Sequence, residues 1–456
     1  MRQHLLKLLA LALAALMLSA CASYQALPLN DHPLLPDNLS QLRVDARKLP
    51  FPHLASYTID PGNGLDITEI AILAVLNNPE LQLARANAHI AHAQAFAAGL
   101  LPDPQFNLAR DFPVHKAAGV TTAYNAGIAY DLNSLISHAA KSDAGKANLR
   151  KTNLDLLWQE WQVIARARVL FTRAITQTRL LAWLTRKADL LQAQYRKSKV
   201  ALSQGNMTVI ATDSALIAWQ DAERQRNDLQ RRQAKTRHQL DNLLGLAPTV
   251  QLKLVDDLKL APLSNANVEQ ALRQLPQRRP DLLALKAGYA AQDARYRQAI
   301  LNQFPAFNLG LNKARDTGGI ITHGFTLALT LPIFDGNRGN IAIAKATRQR
   351  LHDEYEIRLN RARSKVLRLL ADRKLLQNQL KTITQHLPEL DRAANRARAA
   401  LASGSLDTAA FVSFESVRIA KHIEAANLKQ SLQENRIALL TLIGGDFPQR
   451  IAEKTQ

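Results

Sequence analysis

The sequence predicts a mainly helical fold with a small β part, built from two copies of one arrangement. Three observations support this prediction. A segment around residue 79 recurs around residue 280, a heptad pattern runs through the second half, and four short stretches alternate apolar with small or polar residues. Heptads are typical of coiled-coil helices, and a period of two is typical of half-buried strands. We therefore predict an internally duplicated chain in which long antiparallel coiled-coil helices form a helical barrel, with four strands contributed to a shared transmembrane β-barrel.

The first residues predict an export signal. Arg2 and Lys7 precede an uncharged apolar run over 8–18. That run is shorter than the roughly 20 residues a membrane helix needs, but it fits the central part of a secretory signal. We predict a signal peptide over 1–20.

The only cysteine of the chain, Cys21, comes directly after this signal. The sequence Leu18-Ser19-Ala20-Cys21 resembles the lipobox of bacterial lipoproteins, in which the cysteine is lipidated and becomes the new N-terminus. An Asp after that cysteine usually retains such a lipoprotein at the inner membrane, and Ala22 therefore points to the outer membrane. We expect a lipid-anchored segment over 21–63. The alternative is an ordinary signal peptide followed by an incidental cysteine.

The chain is strongly basic. Its formal net charge is +20, and loss of Arg2 and Lys7 with the signal leaves +18. The basic residues are spread along helical stretches with few aromatic residues between them. This spread favours solvated faces or contact with anionic surfaces over a nucleic-acid site.

The duplication is visible in paired markers. The segment 77–108 is echoed by 278–309, with Pro79 and Pro104 matching Pro280 and Pro305 at an offset of 201. We predict a first repeat over 64–247, a second over 265–445 and a C-terminal tail over 446–456.

Each repeat is expected to run helix, two strands, long helix, tight turn, helix. In each half the two shorter helices together match the long one in length, which predicts that they stack end to end along it. At about 1.5 Å per residue the long helices reach roughly 100 to 107 Å. The predicted helices cover 66–100, 134–204 and 207–245 in the first half, and 267–300, 336–403 and 406–445 in the second.

A coiled-coil seam follows the second long helix for about six heptads. Pro388 lies inside the seam and predicts a local bend or a helix break. An ordinary helical bundle would share the periodicity over a shorter length. The seam consists of Tyr355, Leu359, Ala362, Val366, Leu369, Arg373, Leu376, Leu380, Ile383, Leu387, Leu390, Ala394 and Ala397.

The four alternating stretches have one apolar side and one small or polar side. Each is about 9 to 11 residues, the length of a tilted strand that crosses a bilayer. Lipid accepts no open sheet edge, and four strands are too few to close a barrel. We therefore expect the chain to share a barrel with copies of itself, and closure alone allows eight strands in a dimer or twelve in a trimer. The alternative is a pair of hairpins packed on the helices of a soluble protein. The residues predicted to face lipid are Phe106, Leu108, Tyr124, Ile128, Phe307, Leu309, Phe325 and Leu327.

Taken together, these features resemble the lipoprotein branch of the TolC-like outer membrane factor (outer membrane efflux protein) family. The resemblance covers essentially the whole mature chain. It implies a homotrimer with a twelve-strand barrel in the outer membrane and a helical tunnel in the periplasm. It also implies a passive exit duct for small molecules in a tripartite efflux system, with a periplasmic adaptor (membrane fusion) protein and an inner-membrane transporter as partners. The motifs that carry it are the lipobox, the pair 78–81 and 279–282, the stretch LTLPIFDGNRGN at 329–340, two glycine turns, and the helix ends LLGL and LTLIGG.

The resemblance implies that the two glycine turns lie at the periplasmic tip, where adaptor docking and gating occur. Many relatives carry acidic residues shortly after the second glycine, but Ala410 and Ser413 hold those positions here. For the carboxylates nearby, including Glu415, we expect a solvated helix face. The residues assigned to tip and docking are Gly205, Gly404, Asp407 and Asp213.

No catalytic or cofactor site is predicted. The 12 histidines form no close ligand cluster, and Met207 is the only methionine after the signal, so a copper or silver pathway built on methionine or cysteine lacks support. We predict no enzyme activity, no cofactor and no nucleic-acid partner. Two other functions stay open, a type I protein-secretion duct and a periplasmic coiled-coil scaffold lipoprotein without a pore.

Overall fold

The computed structural model describes residues 24–32, 35–45, 59, 63–114, 118–256, 260 and 263–444. The chain divides into two units, 1–35 and 36–456. The described residues of the first unit form neither helix nor strand. Among them Tyr24, Leu27 and Leu29 are each more than nine-tenths exposed.

The second unit repeats one order of elements, as the duplication predicts. Its first half contains α1 (Ile67–Asn77), α2 (Pro79–Gly99), β1 (Gln105–Asp111), β2 (Ala123–Asp131), α3 (Leu132–Ser203) and α4 (Val209–Leu243). Its second half contains α5 (Asn265–Arg273), α6 (Leu275–Arg278), α7 (Pro280–Leu301), β3 (Ala306–Arg315), β4 (Ile321–Thr330), α8 (Arg338–Ala402) and α9 (Thr408–Ile443).

The first helix of each repeat is interrupted, and the single helices expected over 66–100 and 267–300 are wrong in this respect. The break falls at Asn78–Pro79 and again at Arg279–Pro280, and the second half has an additional break at Gln274, between α5 and α6. A proline disfavours helical backbone in the residue before it, and ψ is 123° at both Asn78 and Arg279. The Asn78 side chain then accepts a hydrogen bond from Leu81 N and starts α2 anew.

The other proline inside a predicted helix has a different outcome. α8 continues through Pro388, so the helix break considered there is wrong. Arg392 Nε donates to the Pro388 carbonyl at 3.3 Å.

The long helix α3 lies at the centre of the second unit. It has 72 residues, which corresponds to about 108 Å. The three shorter helices of its own half, α1, α2 and α4, pack along it, and so do α7 and α9 from the second half. As a result α3 buries 22 residues, among them Trp161 and Phe171 with no exposed surface.

The largest hydrophobic core joins the middle of α3 to α1 and the end of α4. α1 is apolar on every side, and ten of its eleven residues are buried. Its start is fixed by a capping box, in which Asp66 accepts from Glu69 N while Glu69 accepts from Asp66 N. The helix therefore fills the core from a defined first residue.

The coiled-coil seam predicted along α8 is its packed face. None of the thirteen seam residues is exposed, and four of them are buried. Arg373 is the only charged residue of the seam. It extends to the linker between the repeats and donates a hydrogen bond to the Leu263 carbonyl at 3.1 Å. A charged residue is tolerated in the seam because a backbone acceptor lies within its reach.

The four strands form one antiparallel sheet in the order β1-β2-β3-β4. β2 pairs with β3, so hairpins from the two repeats join directly. The sheet therefore unites the two halves of the chain at the end where all four neighbouring helices, α2, α3, α7 and α8, begin or end.

We expect Phe171→Ala to destabilise the second unit by about 3–5 kcal/mol, because it opens a cavity at a fully buried position of the main core. The matched control is Phe414→Ala, at a position that is 50% exposed. Denaturant midpoints of both variants in detergent measure the difference. Equal midpoints for the two variants would contradict this account of the core.

Candidate functional site

The register of the sheet places all eight predicted lipid-facing residues on one face. Residues that oppose each other in antiparallel strands share a face. Phe106 opposes Ile128, Ile128 opposes Leu311, and Leu311 opposes Phe325. The neighbouring register positions add the other members of the apolar face, namely Leu108, Tyr124, Phe307, Leu309 and Leu327. Several are strongly exposed in the single chain, with Phe106 at 72% and Phe325 at 76%.

The opposite face carries small and polar residues. One of its rows reads Asn107, Gly127, Asn312 and Gly324 across the four strands. A Cβ on Gly127 would lie 2.6 Å from Asn107 Oδ1, and one on Gly324 would lie 2.8 Å from Asn312 Oδ1. The asparagine side chains therefore lie over the glycines. This face is polar and carries no bulky side chains in that row.

The two outer strands have unpaired edges. Within the described residues, β1 pairs only with β2, and β4 pairs only with β3. Each edge leaves a row of backbone N–H and C=O groups available for another strand.

The second candidate region is the pair of turns between the long and the following helices. Gly205 and Gly404 adopt φ of +73° and +75°, the left-handed conformation that ends a helix and favours glycine. Thr208 and Asp407 then cap the next helices, accepting hydrogen bonds from Ala211 N and Ala410 N. The two turns are thus built alike, as the duplication predicts.

The carboxylates near these turns lie in three different settings. Asp213 and Asp407 are exposed. Asp407 is also the N-cap of α9, so it has a structural role that the sequence analysis did not assign. Glu415 is only 2% exposed, and the solvated helix face expected for it is wrong.

Glu415 lies instead at the centre of an ionic network between three helices. It accepts two hydrogen bonds from Arg418, one turn further along α9, at 2.7 and 2.9 Å. Arg186 of α3 is 2.8 Å away and Arg398 of α8 is 3.7 Å away. The network therefore ties both long helices to α9, about 12 Å along α9 from Asp407.

A second carboxylate extends the network. Asp391 of α8 accepts a hydrogen bond from Arg418 at 3.1 Å and another from His422 at 2.9 Å. The His422 ring stacks on Trp183 of α3 with a centroid distance of 4.6 Å. Charge pairing and ring stacking thus join the same three helices.

The pKa values of these carboxyls follow from the contacts. The hydrogen bond from Arg418 lowers the pKa of Glu415 below its ordinary value of 4.5, against the opposing effect of burial. Burial also raises the pKa of Asp391, but the hydrogen bonds from His422 and Arg418 outweigh it and the net pKa is lowered. A depressed carboxyl pKa stabilises the fold above the unfolded-state value, and this contribution is lost as the pH falls through the folded-state value.

Sequence reasoning missed most of this network. The spacing of Glu415 and Arg418 is the one available signal, since residues three apart share a helix face. Arg186 lies more than two hundred residues away and Asp391 on another helix, so their convergence depends on how the helices pack.

Neither a membrane-spanning helix nor a metal-ligand cluster occurs in the part of the chain that the structure describes. None of its helices has a segment of sufficient length and apolar character to cross a membrane. In the same residues no three His, Cys, Asp or Glu side chains come together as metal ligands would. The predicted lipidation site, Cys21, lies outside the described residues.

Comparison with known proteins finds one protein family. Residues 271–445 match the sequence model of the outer membrane efflux protein family. The cation efflux system protein CusC of Escherichia coli K12 is 27% identical over 270 residues, which cover 56% of this chain and 58% of that protein. The probable outer membrane lipoprotein SilC of Salmonella typhimurium is 28% identical over 184 residues, covering 38% and 40%. The chain thus spans less than two thirds of the length of the curated relatives it matches.

Solved structures share the fold over most of the chain. A crystal structure of CusC superposes with a TM-score of 0.67 at 20% identity, covering 90% of this chain and 99% of that one. The Campylobacter jejuni outer membrane channel CmeC gives a TM-score of 0.70 at 15% identity, covering 94% and 96%.

We expect Glu415→Ala to destabilise the helical region by about 3 kcal/mol, the low end of the range for a broken buried ion pair. The low end applies because Arg186 and Arg398 are about half exposed and can be solvated. The control is Asp213→Ala, which removes an exposed carboxylate. Protease susceptibility near the two turns, together with denaturant midpoints, measures the effect. Indistinguishable behaviour of the two variants would count against the network.

Proposed function

We propose that the chain is a member of the TolC-like outer membrane efflux protein family, whose model matches residues 271–445, and that it is the outer-membrane channel of a tripartite efflux system. Three copies contribute four strands each to a twelve-strand barrel, and their helices continue the duct into the periplasm. The duct itself is passive and carries small molecules outward. The observation that supports this most strongly is the sheet, with its apolar face and two unpaired edges.

The argument from the sheet concerns the environment its apolar face requires. Water would leave side chains such as Phe106 and Phe325 exposed at a large cost in free energy. Lipid accepts them, but it does not accept the unpaired edges of β1 and β4. Both requirements are met when β1 of one copy pairs with β4 of the next. Family membership favours three copies over the dimer that closure alone would allow.

The second long helix supports assembly independently. α3 buries 22 of its 72 residues, whereas α8 buries five of 65. Away from the seam, α8 exposes a set of large apolar residues. A helix of this length needs packing partners along most of it, and neighbouring copies supply them in the proposed trimer. The exposed residues are Ile343, Ile357, Leu367 and Leu375.

Anchoring and location follow the same proposal. Cys21 carries lipid in the outer membrane, and the segment up to residue 63 connects it to the first repeat, which covers 64–247. Within this segment the described residues 24–32 are exposed, whereas Leu42 is buried in the main core. The second repeat covers 265–445.

Partners and cargo are inferred from the class of protein. We propose that the turns at Gly205 and Gly404, with Asp213 and Asp407, meet a periplasmic adaptor that connects to an inner-membrane transporter. Relatives such as CusC are named for cation efflux. In this chain the scarcity of methionine and cysteine favours a broader small-molecule cargo over soft metal ions. The family consists of channels, and we propose no catalytic activity.

Two neighbouring residues of β4 test the proposal, since Leu327 and Thr326 lie on opposite faces of the sheet. We expect Leu327→Arg to reduce the yield of membrane-inserted trimer, because a charge facing lipid near the bilayer midplane costs about 2–4 kcal/mol per subunit. Thr326→Arg is expected to leave assembly intact and to shift the ion selectivity of the pore toward anions. Heat-modifiable gel mobility and conductance in planar bilayers give both readouts.

Equal tolerance of arginine at the two positions would contradict the assignment of faces. A wild-type protein that stays monomeric and gives silent bilayers would favour the pore-free scaffold. A conducting trimer that transports protein and no small molecule in cells would favour the secretion duct.

A further inference from the structure

The apolar face of the sheet carries four basic residues, all at one end. Arg110 opposes Tyr124, and Tyr124 opposes Arg315, so these residues share one register row. Lys313 opposes His323 in the adjacent row. Both rows are next to the hairpin loops, at the end of the sheet away from the helices. We call Arg110, Lys313, Arg315 and His323 the basic band.

The distribution of charge around the band is one-sided. The rows of the same face nearer the helices contain only apolar residues and Tyr130. The opposite face contains no basic residue in any of the four strands, and its charged residues are Asp111 and Asp131. Every positive charge of the strands therefore lies where the apolar face ends.

The part of the chain that the structure describes gives the basic band no acidic partner. Within the described residues no carboxylate forms an ion pair with any of its four members. Arg110 lies over the Phe112 ring, with its guanidinium carbon 5.1 Å from the ring centroid. Arg110 and Arg315 thus have no carboxylate partner among the described residues, and their positive charge is available to an anion from outside the chain.

An identical neighbour does not supply that acceptor from its strands. The strands have no acidic residue on the apolar face, so pairing β1 with β4 of another copy brings only more basic and apolar groups to the band. Outside the strands, the medium that covers this face is a source of such an acceptor.

We propose that the basic band binds the phosphate groups of a phosphorylated glycolipid in the outer leaflet of the outer membrane. The inference rests on the proposed function, because the helices then occupy the periplasmic side and the hairpin loops the exterior side. Arginine binds phosphate oxygens through paired N–H groups, and basic side chains near a membrane surface attract anionic headgroups. Apolar rows followed by basic rows match a molecule with acyl chains and a phosphorylated head.

The simpler explanation is that these long side chains extend to water above the lipid. That explanation predicts no preference for phosphate on the lipid. The two explanations therefore differ in a measurable quantity, the dependence of binding on lipid phosphorylation.

The test uses purified full-length trimer in detergent and native mass spectrometry with three defined lipids, namely bis-phosphorylated lipid A, dephosphorylated lipid A and phosphatidylglycerol. We expect the wild type to retain phosphorylated lipid A at least about tenfold better than the other two. The variant Arg110→Gln/Lys313→Gln/Arg315→Gln is expected to lose that preference. The control Arg361→Gln/Lys374→Gln/Lys381→Gln removes three exposed basic residues of α8 and is expected to keep it.

Equal retention of phosphorylated and dephosphorylated lipid A, or an unchanged preference in the band variant, would overturn the inference. Equal retention of phosphatidylglycerol would overturn the choice of glycolipid. Conductance measured on the same preparations separates this inference from the proposed function. A conducting trimer without lipid discrimination contradicts only the band, whereas a protein that neither assembles nor conducts contradicts the channel.

Discussion

Backbone hydrogen bonding at the edges of the sheet is the constraint on which the rest of the proposed assembly depends. In water the apolar face of the four-strand sheet would stay exposed at a cost in free energy. In lipid the backbone groups of its two open edges would have no hydrogen-bond partners. Pairing β1 with β4 of an identical chain meets both demands without any additional residue. In the proposed assembly the closed pore and the position of the helices follow from that pairing, because each repeat supplies one hairpin and β2 joins the two hairpins into a continuous sheet. The number of copies does not follow from it.

The long helices also need partners, in their case side chains that pack along their length. α3 is packed by helices of both repeats, whereas α8 uses its seam within the chain and leaves other apolar residues exposed. The ionic network around Glu415 adds a directional tie among α3, α8 and α9 close to the turns. It holds the helices of one copy together through ion pairs, while in the proposed trimer the exposed apolar residues of α8 contact the neighbouring copies.

Much of this could be predicted from the sequence, since periodic patterns report which side of an element is buried. The thirteen seam residues of α8 and the apolar face of the strands are both of this kind. The breaks before Pro79 and Pro280 were missed because the surrounding helical pattern continues across them, and only the local effect of proline on the preceding residue reveals them. Glu415 could not be interpreted correctly, because its burial depends on Arg186 of a distant helix. Asp407 was missed as a cap because a carboxylate near a turn fits several roles equally well.

Disulfide formation between copies tests the central claim most directly. Leu108→Cys in β1 would be combined in turn with a cysteine substitution at each residue of β4, in a Cys21→Ser background and in membranes. The account predicts a disulfide-linked ladder up to the trimer for a few β4 positions that share one face, and none for the others. Absence of cross-links at every position, or exclusively intramolecular ones, would contradict it.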